Sequence, residues 1–149
     1  MTKAADIMTE DVIVVSPQMT IKEVSKLFTE EGISGAPVIE GDQLIGIVSG
    51  GDLIVKNERV KFPNYLYFLD SVFYLDSFKE FEDDFKKIVK MKIEDVMTTD
   101  IITVEPDDSL ETVANLFVDR GIKRVPVIKG EQLVGIITRA DLIRYLSQD

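Results

Sequence analysis

The chain contains neither cysteine nor histidine among its 149 residues. Without cysteine there is no disulfide framework and no thiolate metal site, which fits a reducing, cytoplasmic setting. Without histidine the usual general base near neutral pH is missing, and the best nucleophile is gone as well. These absences point away from an enzyme and leave only a carboxylate-only hydrolase open. No Walker loop, G-x-G-x-x-G, H-E-x-x-H or EF-hand loop is present. No apolar run reaches the roughly eighteen residues that a membrane span needs, and the N-terminus lacks the basic-then-apolar order of a secretory leader. Basic residues are also in short supply. Lys and Arg number 17 against 27 Asp and Glu, a net charge of −10, which excludes a protein whose main task is to grip nucleic acid.

What is present is a repeat. Residues 6–54 recur at 95–143, offset by 89 positions without a gap. Met8-Thr9 returns as Met97-Thr98, Pro17 as Pro106, Gly32-Ile33 as Gly121-Ile122, and Pro37-Val38-Ile39 as Pro126-Val127-Ile128. Self-similarity at this period sets the architecture: repeat 1 over 1–54, an insert over 55–91, and repeat 2 over 92–149. A unit of about fifty residues buries too little apolar surface alone. The expected solution is two copies packed across a pseudo-twofold, with two equivalent clefts at the seam.

Each copy begins with a β-branched run, Val12–Val15 or Ile101–Val104, followed by Pro17 or Pro106, which predicts a short strand. A helix follows. Thr20 and Glu23 form a capping box, whereas Ser109 caps with Thr112 in place of the glutamate. Ile21, Val24, Leu27 and Phe28 share one face, as do Leu110, Val113, Leu116 and Phe117, and Gly32 and Gly121 stand where a left-handed C-terminal residue is wanted. A hairpin then turns at Gly41-Asp42 or Gly130-Glu131, and a last helix starts near Asp52 or Asp141. The order is strand, helix, strand, strand, helix, twice over: an α/β fold.

Pro37 and Pro126 lie within good strands although proline donates nothing to a ladder. Either the neighbouring backbone groups face a cleft and read a planar ligand, or this is an edge facing solvent. The insert carries nine of the twelve aromatic residues, among them Phe62, Tyr65, Phe73, Phe78, Phe81 and Phe85. A flexible tether would be polar, so the segment packs, as a satellite core or as a subunit contact. Phe78, Phe81, Phe85 and Ile88 have helical spacing. Glu82-Asp83-Asp84 reads as a solvated helix face rather than a metal site. Arg120, Lys123, Arg124 and Lys129 cluster on an otherwise acidic chain, which suits a small anion or simply a charged helix end.

The repeated element with chemical content is Gly46-Ile47-Val48-Ser49-x-x-Asp52, returning as Gly135-Ile136-Ile137-Thr138-x-x-Asp141. A hydroxyl ends a strand, and three residues later a carboxylate opens a helix. The carboxylate, acceptor-only and two-oxygened, suits a ribose diol; it equally suits a local helix cap. Together with the strand proline and the basic residues before Pro126, the pattern favours a nucleotide.

Through Asp6-Ile7-Met8-Thr9, Gly32-Ile33-x-x-Ala36-Pro37-Val38 and this tail, each found twice, the chain resembles the cystathionine-β-synthase (CBS) domain family, specifically a stand-alone tandem pair (a Bateman module). The resemblance implies a non-catalytic sensor that binds AMP, ADP, ATP (which would bring Mg2+) or S-adenosylmethionine in clefts between the repeats. It also implies a homodimer and a regulated protein partner. Carried over by position, one cleft would use Thr138 and Asp141 for ribose. Thr9, Ile13, Ile33, Ala36, Pro37 and Ile136 would surround the base, and Arg139, Lys123, Arg124 and Ser34 would meet phosphate. The mate cleft would use Ser49 and Asp52 for ribose, with Thr98, Ile102, Ile122, Pro126 and Ile47 around the base. Ser34-Gly35 and Gly50-Gly51 replace the basic residues of repeat 2, so unequal occupancy is expected. The alternative is a structural dimerisation module with empty clefts.

Overall fold

The computed structural model describes residues 1–50, 65–68, 71–74 and 86–148. Its elements are α1 (Ala4–Ile7), α2 (Ile21–Glu31), β1 (Gly35–Glu40), β2 (Gln43–Ser49), β3 (Tyr65–Phe68), β4 (Ser71–Tyr74), a 3-10 turn (Ile93–Asp95), α3 (Leu110–Arg120), β5 (Arg124–Lys129), β6 (Gln132–Thr138) and α4 (Arg139–Leu146). Asp52, the segment expected to form the last helix of repeat 1 and most of the aromatic insert lie outside the described residues.

Local chemistry accounts for the helix ends. Thr20 Oγ1 accepts from the Glu23 amide at 3.1 Å, while the Glu23 carboxylate accepts from the Thr20 amide at 3.1 Å. Ser109 makes the one-sided version, accepting from the Thr112 amide at 3.1 Å. Gly32 and Gly121 close α2 and α3 with φ of 66° and 62°, the left-handed conformation that glycine adopts without a Cβ penalty.

The chain forms two compact units that do not follow the repeat boundaries. One comprises Met1–Ile13, Gly41–Leu44 and Asp100–Asp149; the other comprises Val14–Glu40 and Ile45–Thr99. In the first, Ala4 and Ile7 from the N-terminal segment pack into the core of repeat 2 with Val104, Val113, Phe117, Val125, Val127 and Ile137. In the second, Ile88 and Ile93 complete a core made by Val15, Ile21, Val24, Phe28, Ala36, Val38 and Val48 of repeat 1. Residues 86–89, which include Ile88, are helical.

Each repeat contributes one two-stranded hairpin, β1–β2 from repeat 1 and β5–β6 from repeat 2. In β5–β6 the register runs from Arg124 opposite Thr138 to Lys129 opposite Gln132, with an irregularity at Val127/Ile128. Both outer edges of this hairpin are covered by single residues. On the β6 side, Thr9 and Ile136 exchange backbone hydrogen bonds at 2.8 and 2.9 Å. On the β5 side, Val104 makes a parallel bridge to Val127. The second unit repeats the scheme, with Thr98 on Ile47 and Val15 on Val38.

The sequence pattern predicts strands over Val12–Val15 and Ile101–Val104; each is instead one bridge residue in an extended segment. Two prolines explain this. Val104 donates to the Pro126 carbonyl and accepts from the Ile128 amide. The preceding rung would need an N–H from Pro126, and the following rung an N–H from Pro106. Neither exists. Pro37 and Pro17 impose the same limit on repeat 1. The two strand prolines, Pro37 and Pro126, are themselves paired through their backbone oxygens. Their carbonyls accept from Val15 and Val104, at 3.0 and 3.1 Å, and both prolines are fully buried.

In the insert, β3 and β4 pair antiparallel, with Tyr65 opposite Tyr74 and Leu66 opposite Phe73. Among the described residues no helix is long and apolar enough to cross a membrane.

Candidate functional site

The site is assembled where β6 ends and α4 begins. Thr138 leaves the strand in an extended conformation (φ −117°, ψ 173°) and becomes the N-cap of α4. Its hydroxyl accepts from the Asp141 amide at 3.4 Å, and Asp141 Oδ2 accepts from the Thr138 amide at 2.8 Å and from its hydroxyl at 3.2 Å. The aspartate is placed at the third helical position, where the helix dipole favours an anion. Asp141 is 3% exposed.

Its other oxygen is reached from two further directions. Thr9 donates its hydroxyl to Asp141 Oδ1 at 2.8 Å. Arg144, one turn along α4, places a guanidinium nitrogen on the same oxygen. The Thr9 hydroxyl can arrive there because the Thr9 backbone is pinned to Ile136. That pairing in turn depends on Gly135. A Cβ on Gly135 would lie 2.5 Å from Met8 Sδ and 3.1 Å from the Thr9 carbonyl oxygen. Gly46 is crowded in the same way by Met97 Sδ at 2.7 Å and the Thr98 oxygen at 3.0 Å. The recurring Met-Thr and Gly therefore form one device: the thioether and the threonine carbonyl pack where a side chain is missing.

Of the residues singled out from sequence, Thr9, Ile136, Thr138 and Asp141 come together in the unit containing repeat 2. Arg124 lies opposite Thr138 across the hairpin, and Lys123 and Arg139 are exposed nearby in sequence. Ile102 and Ile122 are partly buried against that unit's own core, Ile13 is half-buried, and Pro126 is buried. The other unit holds Ile33, Ser34, Ala36, Pro37, Ile47, Ser49 and Thr98. There Ile47 and Thr98 exchange backbone bonds, and the Ser34 carbonyl accepts from the Gly50 amide at 2.8 Å. Ser49 is 4% exposed. Among the described residues no group of three or more carboxylates gathers as a metal site. Arg144 was not singled out from sequence. The available signal was its place three residues after Asp141, a spacing that puts two side chains on the same helix face.

The family model for the CBS domain matches residues 4–57 and 93–148, both repeats and most of the chain. The protein belongs to the CBS-domain family. An uncharacterized protein of Methanocaldococcus jannaschii is 37% identical over 150 residues, covering 95% of this chain and 89% of that one. Two further proteins of that organism are longer, and the chain spans 40% and 43% of them. Among solved structures, the CBS-pair protein CBSX2 of Arabidopsis thaliana is 26% identical, with coverage of 97% and 93% and a TM-score of 0.72. CBSX2 in complex with AMP superposes with a TM-score of 0.69 at 24% identity, covering 98% of this chain and 96% of that one. The CBS domain pair of protein MJ0100, in complex with 5′-methylthioadenosine and S-adenosyl-L-methionine, gives 0.68 at 22% identity and the same coverage. The tandem CBS pair is thus the fold of this chain.

Proposed function

We propose that this CBS pair is a non-catalytic regulatory module that binds an adenosyl ligand and hands the signal to a protein partner. The observation that carries the reading is the buried Asp141 carboxylate, flanked by the hydroxyls of Thr138 and Thr9 at a helix N-terminus. A carboxylate held this way is an acceptor pair matched to a 2′,3′-diol. The ligands in the two related complexes, AMP on one side and S-adenosylmethionine with methylthioadenosine on the other, share the adenosine portion. Arg124, Lys123 and Arg139 support a phosphate preference. Ser49 with Asp52 would form the corresponding pair in repeat 1. The lack of cysteine supports a reducing, cytoplasmic setting.

The test is a thermal-shift panel of AMP, ADP, ATP with Mg2+, S-adenosylmethionine and guanine nucleotides. A ligand that binds only the folded state stabilises it by about 2.7 kcal/mol at a hundredfold excess over Kd, so at least one adenosyl compound is expected to raise the midpoint by several degrees. A flat response across the panel would leave the structural-module alternative standing.

The aromatic insert favours a homodimer in either case. Nine aromatics in thirty-seven residues, each able to bury about 150–250 Å², supply the area of a standard contact of about 800 Å² per partner. Light scattering is expected to give a dimer at tens of micromolar that Phe73→Asp shifts towards monomer with helix content intact. A wild-type monomer, or a dimer indifferent to the change, would return the insert to an internal packing role.

A further inference from the structure

Asp141 has about four acceptor positions, and four donors of this chain already take them. Oδ2 receives the Thr138 amide and hydroxyl; Oδ1 receives the Thr9 hydroxyl and the Arg144 guanidinium. The two oxygens are not equally committed. Oδ2 is tied into the cap of α4, and freeing it would strip the helix of its N-terminal partners. Oδ1 is held by a hydroxyl that can rotate and by a long side chain that is 57% exposed, whose release into water costs little. A diol that reads this carboxylate must therefore enter at Oδ1, and it must displace what is there.

We infer that Arg144 is a latch on the ribose-reading carboxylate: it occupies Oδ1 in the free protein and is exchanged for ligand hydroxyls on binding, so it lowers affinity and tunes the concentration at which the site fills. The inference rests on the adenosyl-binding reading of this site. It also separates the two repeats, since Val55, the first residue of the insert and 89 positions before Arg144, stands at the corresponding place after repeat 1. A guanidinium latch is written into repeat 2 alone.

Calorimetry with AMP and with 2′,3′-dideoxy-AMP on the wild type, Arg144→Met and Arg144→Lys provides the test. Methionine keeps the apolar stem and helix propensity while removing the fork. AMP is expected to bind Arg144→Met about two- to fivefold more tightly than the wild type, the range of an exposed ion pair, with Arg144→Lys in between. Dideoxy-AMP has no hydroxyl to place on Oδ1, so it should gain nothing from either change. Binding by Arg144→Met alone would be the extreme form of the same result. Wild-type binding that is unchanged or weakened in Arg144→Met would overturn the latch while leaving the adenosyl reading intact. Equal gains for AMP and dideoxy-AMP would also overturn it. Absence of binding in every form would overturn the adenosyl reading and the latch with it.

Discussion

Asp141→Ala is expected to lower AMP affinity at least about tenfold and to cost about 1–2 kcal/mol of folding stability. The two effects have different origins. Affinity falls because the acceptor for the ribose hydroxyls is gone, and a hydrogen bond to a charged group is worth about 1.5–3 kcal/mol. Part of that gain is offset in the wild type, because Thr9 and Arg144 must first leave Oδ1. Stability falls because the Thr138 amide loses its partner at the start of α4, the ordinary penalty of a lost cap. Asp141→Asn separates them: it retains an oxygen for the Thr138 amide and so most of the stability, but loses the charge that strengthens the diol bonds. Calorimetry and thermal melting read the two quantities independently. Unchanged AMP affinity in Asp141→Ala would sink the ribose assignment and leave the aspartate as a helix cap only.

The second large effect is expected at Gly135, a residue with no side chain of its own. Gly135→Val should destabilise the protein by about 3 kcal/mol, the upper part of the range for overpacking, which lowers Tm by roughly 6–12 °C in a chain of this size. The Met8 thioether, 2.5 Å from the position of a Cβ, can swing aside; the Thr9 carbonyl at 3.1 Å is backbone and already bonded to the Ile136 amide. Met8→Ala in the same background should therefore restore only part of the loss. Because Thr9 also donates to Asp141, Gly135→Val is expected to weaken AMP binding too. A variant that melts with the wild type would deny the close approach between the Met-Thr segment and β6.

Much of this was legible in the amino-acid order. The T-x-x-E pattern at Thr20 and Glu23, the single hydroxyl cap at Ser109, and the glycines at 32 and 121 describe interactions within one turn of chain, and the structure holds them as expected. The hydroxyl–aspartate pair at 138 and 141 was legible for the same reason, since an N-cap and its third helical residue are neighbours whatever surrounds them. The two strand prolines were visible, but their consequence was not. Pro106 and Pro126 act jointly across a rung, and only the parallel placement of Val104 beside β5 shows that each removes a donor the ladder would need. Arg144 was missed on similar grounds. An arginine on a helix face is ordinary until its neighbour proves to be a buried carboxylate.

The amino-acid sequence by itself determined that there are two copies of one α/β unit, where the helices Ile21–Glu31 and Leu110–Arg120 start and stop, and that their shared tail offers a carboxylate beside a hydroxyl. These are matters of local periodicity and capping, which do not depend on partners distant in the chain. Only the tertiary structure decided which copy each segment serves. The Met-Thr segment of repeat 1 pairs with Ile136 of repeat 2, and that of repeat 2 with Ile47 of repeat 1. Two copies with the same pattern offer the same edge and the same glycine, so no local preference distinguishes one pairing from the other; long-range packing of Ala4 and Ile7, and of Ile88 and Ile93, makes the choice. That choice brings the Thr9 hydroxyl to Asp141.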